Sequence, residues 1–443
     1  MSSRRRFLRT AGATAVVAGS AGCLEAIGGD REFTEAYDPP ALLLTWQRDP
    51  TSTMTVDWHT DEAADRDAAL DYRPVDGDES WQRATGETRP FHDDDPNTTY
   101  GRDVQRVELT GLRSATTHEF RVGTEPTWRF RTMPERLDGS LTFATGGDTG
   151  YGSAFGAILE AISQRDPEFL AICGDFPIAD GGRQSGAGRL WEQWFDAVKN
   201  GLVTGKGRMI PVVTGVGNHE CRSGYIHEAS EPFEFEQTRS WREWQAPYFY
   251  SFFAFPGHPG YGVLDFGEYL SLPVLDTNHT SPIRGEQTAW LETVLAEREE
   301  IPHVFPTYHV PIYPGVEERS NESPPTQNEW PPLFEAHNIQ FTFEHHRHHF
   351  KRTPPITDGE LDDDGVIYMG SGNLGQMPPA LVDSDRWWID AADQSYNAHL
   401  VTIDGDTTRI ETVDDGGTVI DSVERSVDGG GVRVERSPSE TDA

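Results

Sequence analysis

Leu141-Thr142-Phe143-Ala144-Thr145-Gly146-Gly147-Asp148-Thr149-Gly150 decides how the chain is read. The apolar stretch Leu141 to Ala144 predicts a buried strand, and the glycine-rich turn after it carries a carboxylate. Phe155, Ile158, Leu159 and Ile162 follow at i, i+3, i+4 and i+7, one apolar face of a helix. The strand-then-polar-cluster pattern recurs along the chain. Phe169 to Cys173 runs into Gly174-Asp175, and Met209 to Val213 leads to Gly217-Asn218-His219-Glu220. Val304 to Tyr308 ends at His309, and Ile339 to Phe343 reaches His345-His346-Arg347-His348-His349. Tyr269 to Leu275 supplies a further strand. Strands alternating with helices predict an α/β layered domain, and in such sheets sites form beyond the carboxyl ends of the strands. Asp, Asn and His gathered there are ligands suited to zinc, manganese or iron. One such cluster alone is a weak signal, because Asp-x-Gly is commonly a turn. Five in order, all at strand ends, are a strong one.

Upstream, residues 37–135 read as short strands with turns. Ala41 to Trp46 and Met54 to Trp58 form the first pair, followed by Ala68 to Tyr72, Val104 to Leu109, Thr117 to Val122 and Trp128 to Thr132. This spacing predicts a small β-sandwich. Val107-Glu108-Leu109-Thr110-Gly111-Leu112 and Glu119-Phe120-Arg121-Val122-Gly123 resemble a fibronectin type III-like domain. Residues 24–36 read as a linker, 136–413 as the α/β domain, and 414–443 as an acidic, Gly-rich hairpin or tail.

The order Gly-Asp-x-Gly, Gly-Asp, Gly-Asn-His-Glu, a late His and His-x-His resembles the calcineurin-like metallophosphoesterases. The flanks resemble the purple acid phosphatase branch: Phe343 to Arg352 with His346-Arg347-His348, Tyr308-His309-Val310-Pro311-Ile312-Tyr313, Val274-Leu275-Asp276-Thr277, and Gly285-Glu286-Gln287 before Trp290. A leading β-sandwich also fits that branch. The resemblance implies a four-layer αββα sandwich behind an all-β domain. It implies two metal ions, iron, zinc or manganese, with Asp175 bridging them. Asn218, His309 and His346 would complete one site; Asp148 and His348 would serve the other. His219 would stabilise or protonate the leaving oxygen, and Glu220 would orient His219. A metal-activated water would be the nucleophile on a phosphate-ester small molecule. Arg222 and Arg347 flank the motifs and are candidates for phosphate oxygens.

The pattern also departs from that branch. Its second motif is Gly-Asp-x-x-Tyr, with tyrosinate on ferric iron; here Gly174-Asp175-Phe176-Pro177-Ile178 puts an isoleucine there. Other metallophosphoesterases place a His two residues after the first Asp; here that position is Gly150. Tyr151 is the adjacent residue that could compensate, although an ordinary loop aromatic is its plainer reading. His345 stands where a Gly is usual. The expectation is a phosphomonoesterase that is not purple and holds one metal more weakly. A phosphodiesterase with the same site is the first alternative. A surface binding module without hydrolysis is the second.

Composition bounds the remaining classes. The chain has 443 residues, 73 acidic and 37 basic, a formal net charge of −36, and 36% hydrophobic residues. Such polarity excludes a multi-span membrane protein, and such acidity excludes a non-specific nucleic-acid binder. Lysine occurs only at Lys199, Lys206 and Lys351. An acidic, lysine-poor surface resembles proteins of high-salt archaea, where dense salt screens self-repulsion. Residues 1–23 open Ser3-Arg4-Arg5-Arg6-Phe7-Leu8 and close Ser20-Ala21-Gly22-Cys23, resembling a Tat export signal ending in a lipobox. Cys23 is the expected lipidation site, so the expected location is the outer face of the cell membrane or the medium. Membrane contact would be through the lipid alone. Cys173 and Cys221 are expected to be buried free thiols.

Overall fold

A computed structural model describes residues 32–61, 67–92, 100–226, 238–316, 329–376, 383, 385–427 and 432–436. The export segment, Cys23 and most of the 24–36 linker lie outside the described residues.

The first domain is an antiparallel β-sandwich of two four-stranded sheets. One runs Leu42–Thr45, Met54–Thr60, Gly101–Leu109, Glu87–His92; the other runs Gln82–Thr85, Ala69–Pro74, Thr117–Arg121, Trp128–Arg131. Gln82–Thr85 and Glu87–His92 are strands that apolar patterning does not reveal, because they are largely exposed edges. Met54–Thr60 is buried on both faces. Met54, Val56 and Trp58 fill the sandwich core. On the other face, the His59 ring lies 4.6 Å from Phe195 and 4.7 Å from Phe252 of the second domain. Asp57 beside it takes the Arg106 guanidinium at 2.6 Å. The two domains therefore share apolar packing, and Trp46 stands edge-on to Phe169 and Phe266.

The second domain has the expected four layers. Val212–Gly215, Leu170–Cys173 and Ser140–Gly146 are parallel neighbours, extended antiparallel by Asn397–Asp404 and then Thr407–Asp414, Val419–Ser426 and Arg433–Arg436. The facing sheet centres on Leu270–Leu275, Thr307–Tyr308, Phe341–Glu344 and Ile367–Ser371, all parallel. Phe143, Phe169, Leu272, Phe341 and Phe343 pack between the sheets. Helices Ser153–Ser163 and Ala187–Gly201 cover one outer face through Phe155, Ile158, Trp191 and Trp194, and Thr288–Ala296 and Pro331–Ala336 cover the other. Of the two readings of residues 414–443, the structure supports the hairpin and corrects the tail. Val419–Ser426 pairs with Thr407–Asp414 on one side and with the edge strand Arg433–Arg436 on the other, and its Val423 lies in the core. Val419–Ser426 is mostly polar, with Asp421, Ser422 and Arg425 buried, so composition alone reads as a tail.

Among the described residues, no helix is long and apolar enough to cross a membrane. Cys173 and Cys221 are buried and free, as expected. Burial pushes the Cys173 thiol up to about 12, against a hydrogen bond from Thr307 that lowers it.

Candidate metal centre

The parallel strands all deliver their carboxyl ends to one edge. Three ligand-type residues there have left-handed backbones: Asp148 (φ 57°), Asp175 (φ 54°) and His346 (φ 63°). Each such residue costs on the order of 1 kcal/mol and persists only where its surroundings hold it. Glycines let the turns approach. A Cβ on Gly174 (φ +91°) would sit 2.5 Å from His309 Nδ1, and one on Gly147 2.7 Å from His345 Cβ.

The turns bring all six expected ligands together. Asp148, Asp175, His309 and His346 each offer an atom within 4.8 Å of the others. His309 Nε2 lies 3.3 Å from Asp175 Oδ2, 3.1 Å from Asn218 Oδ1 and 3.2 Å from His346 Nδ1. His348 Nε2 lies 3.2 Å from Asp148 Oδ1. Backbone bonds frame the cluster: His346 N donates to Asp148 Oδ2 at 2.8 Å, and His219 N to Asp175 Oδ1 at 2.9 Å.

This donor set fits a cation. Asp148 and Asp175 are 0% and 1% exposed. Asp148 Oδ1 accepts no hydrogen bond, despite the nearby His348. His309 Nδ1 donates to Cys173 O at 2.9 Å, so in the neutral ring Nε2 is a lone pair facing other lone pairs. Such convergence is repulsive until positive charge sits in it. In the metal-free cluster a proton takes that place. Burial lowers the His309 pKa, but Asp175 and Asp148 outweigh it and raise the group to about 9. Burial acts on Asp175 in the opposite sense and is likewise outweighed, chiefly by His309 and His219, leaving it well below the usual range.

His219 stands at the edge of the cluster, its Nε2 4.0 Å from Asp175 Oδ2. Its Nδ1 is held at 2.5 Å by Asp180 Oδ1. Burial lowers its pKa, but Asp175 and Asp180 prevail and raise it to about 9. Glu220 does not orient it, contrary to expectation. Glu220 Oε2 accepts from Asp175 N and Gly217 N, each at 2.8 Å, and Oε1 accepts from Phe176 N at 2.9 Å. A buried carboxylate adjacent to His219 in sequence is drawn to three backbone donors rather than to the ring. Asp180 is thus a functional residue that the sequence reading missed. Its signal was present as a second carboxylate in the turn that begins at Asp175.

The other candidates separate. The Arg222 guanidinium lies 5.6 Å over the Trp244 ring. Arg347 is half-buried between His346 and His348. Ile178 is half-buried and offers no ligand atom. Tyr151 is 41% exposed. His345 is buried with Nδ1 on Ser371 O at 2.8 Å, and burial pushes it down to about 3.

A buried Asp/His cluster across the strand ends of an αββα sandwich is the architecture of a metallohydrolase. Residues 39–133 match the purple acid phosphatase N-terminal domain, and residues 142–350 match the calcineurin-like phosphoesterases. The chain thus carries a calcineurin-like phosphoesterase domain behind a domain of the purple acid phosphatase N-terminal type, and it is a phosphoesterase-type hydrolase. An uncharacterised Mycobacterium tuberculosis protein is 27% identical over 406 residues, covering 80% of this chain and 71% of that one. Purple acid phosphatase 15 of Arabidopsis thaliana is 22% identical over 315 residues, covering 63% and 55% respectively. A purple acid phosphatase structure from yellow lupin (Lupinus luteus) superposes with a TM-score of 0.69 at 17% identity, covering 87% of this chain and 74% of that one. PhoD superposes with a TM-score of 0.65 at 13% identity, covering 92% and 94%. At these identities the structural likeness speaks to the fold.

Proposed function

We propose that the chain is an exported phosphomonoesterase working with two cations drawn from iron, zinc and manganese. The convergence of Asp148, Asp175, Asn218, His309, His346 and His348, with His219 at its edge, carries this reading. Asp148 and His348 would hold one cation, Asn218, His309 and His346 the other, with Asp175 between them. Bound cations supply charge for phosphoryl oxygens and acidify water. They also stand in for a basic patch, which a chain of net charge −36 otherwise needs to admit an anion. His219 has its Nδ1 turned to Asp180, so its Nε2 is the proton-bearing atom available to a leaving oxygen. In the metal-free chain Asp175 and then Asp180 raise the pKa of this group. Export and a lipid anchor at Cys23 rest on the twin-arginine and Ser20-Ala21-Gly22-Cys23 sequences.

The test is hydrolysis by purified protein in high salt of an aryl phosphate and a bis-aryl phosphate, with manganese, zinc and iron supplied separately. Metal-dependent phosphate release from the monoester, lost in Asp175→Asn and reduced in His219→Ala, is expected. Cleavage of the diester alone assigns a phosphodiesterase. No hydrolysis with any metal assigns a binding module.

A further inference from the structure

We propose that Tyr225 is a positioning residue for His346, fixing which ring nitrogen that histidine turns toward a metal. The proposal rests on the metal-dependent reading above.

A histidine ligates through a nitrogen lone pair, so its other nitrogen carries the hydrogen and needs an acceptor. The two deepest ligand histidines meet this need differently. His309 turns Nε2 into the cluster and gives Nδ1–H to Cys173 O at 2.9 Å, a carbonyl locked in the strand Leu170–Cys173. His346 is turned the other way. Its Nδ1 faces His309 Nε2 at 3.2 Å, and its Nε2 lies 3.3 Å from Tyr225 Oη. With Nδ1 as the ligand atom, Nε2–H donates to the tyrosine hydroxyl.

Tyr225 is itself held. Its ring packs 5.0 Å from His279 and stands at 89° to the His346 ring. Gly224 O lies 3.0 Å from His279 Nδ1, and Ile226 N donates to Asn278 O at 2.6 Å. The turn after His219-Glu220 is thereby fastened to the 276–280 turn, and Tyr225 carries that fastening to His346. The left-handed backbone of His346 adds a second constraint, so the ring direction depends on side-chain partners rather than on a relaxed loop.

Tyr225→Phe keeps the ring against His279 and removes only the acceptor. A packing role predicts no change in metal binding. The positioning role predicts a 10- to 100-fold loss of affinity for one of the two ions. The measurement is calorimetric titration of the metal-free full chain with zinc and with manganese, using Tyr72→Phe, in the N-terminal sandwich, as the control. Cobalt-loaded protein gives a second readout, since its visible spectrum changes when a nitrogen ligand shifts. Wild-type affinity and an unchanged cobalt spectrum in Tyr225→Phe overturn the proposal alone. Absence of metal binding by the wild type overturns the metal reading with it. Should Tyr225→Phe fold poorly, long-range nitrogen–proton NMR of the zinc-loaded wild type decides. An Nε2 proton of His346 protected from solvent exchange by the Tyr225 hydroxyl upholds the proposal, and a freely exchanging Nε2 proton or a proton on Nδ1 overturns it.

Discussion

Asp180 Oδ1 lies 2.5 Å from His219 Nδ1, a carboxylate five residues beyond Asp175 that grips the histidine at the edge of the ligand cluster. The contact fixes the ring and adds to Asp175 in raising its pKa. Asp180→Asn leaves the fold intact but weakens both effects. The expected result is a 10- to 100-fold fall in kcat for an alkyl phosphate, whose leaving oxygen needs a proton, and a smaller fall for an aryl phosphate. The sign in pH is also set. Asp180 raises the His219 pKa, so removing it lowers the pKa, and the alkaline limb of the kcat profile moves to lower pH. An unmoved limb with equal losses on both substrates contradicts the assignment.

Glu220 is a structural strut. Its carboxylate accepts from the backbone N–H groups of Asp175, Phe176 and Gly217. Glu220→Ala strands three buried donors at about 1–3 kcal/mol each. A loss of about 3 kcal/mol or more in denaturant unfolding of the metal-free protein is expected. Stability equal to wild type rules the strut out.

Ile178 replaces the branch's tyrosine ligand, so iron-loaded protein should lack a tyrosinate-to-iron band in the visible. Ile178→Tyr restores a phenol to the turn beyond Asp175, and iron loading should then colour the protein. Visible absorption spectra of the two iron-loaded proteins check both statements. Colour in the wild type identifies another tyrosine as ligand.

Acid should destabilise the fold away from the metal site. Burial pushes His59 down to about 3, with Arg102 and Arg106 adding to it, and burial likewise holds His399 at about 3. The unfolded chain takes a proton on each below about 6.5, while the native state does not. Stability is therefore full above pH 6.5 and falls as pH drops from 6.5 toward 3, by about 1.4 kcal/mol per unit for each histidine. Denaturant midpoints at pH 7.5, 6 and 5 read this directly. In His59→Phe the slope should flatten by one proton, and an unchanged slope refutes the assignment to His59.

Much of the site was legible because its ligands follow apolar strands at short range. Asp148 comes two residues after the strand Ser140–Gly146, Asp175 two after Leu170–Cys173, His309 directly after Thr307–Tyr308, and His346 two after Phe341–Glu344. Local patterning predicts the strands, and parallel topology sends all their carboxyl ends to one edge. Gln82–Thr85 and Arg433–Arg436 were hidden because edge strands lack the apolar run that announces a central one, and Val419–Ser426, one strand in from the edge, was hidden by its buried Asp421, Ser422 and Arg425.

The sequence by itself determined the two-domain order, the layered sandwich, the six ligand types and the loss of the tyrosine at Ile178. The domain order and the Asp, Asn and His clusters at strand ends follow from residue identity at short spacing; the four layers, the six ligand assignments and the missing tyrosine follow from the resemblance to the calcineurin-like metallophosphoesterases. Only the tertiary structure decided which carboxylate serves His219 and which group serves His346. Glu220, adjacent in sequence, is taken by three backbone donors; Asp180, 39 residues away, reaches the ring. Tyr225 reaches His346 across 121 residues. Hydrogen-bond partners are chosen by distance and angle in space, and those are fixed only when the turns of separate strands close on one another.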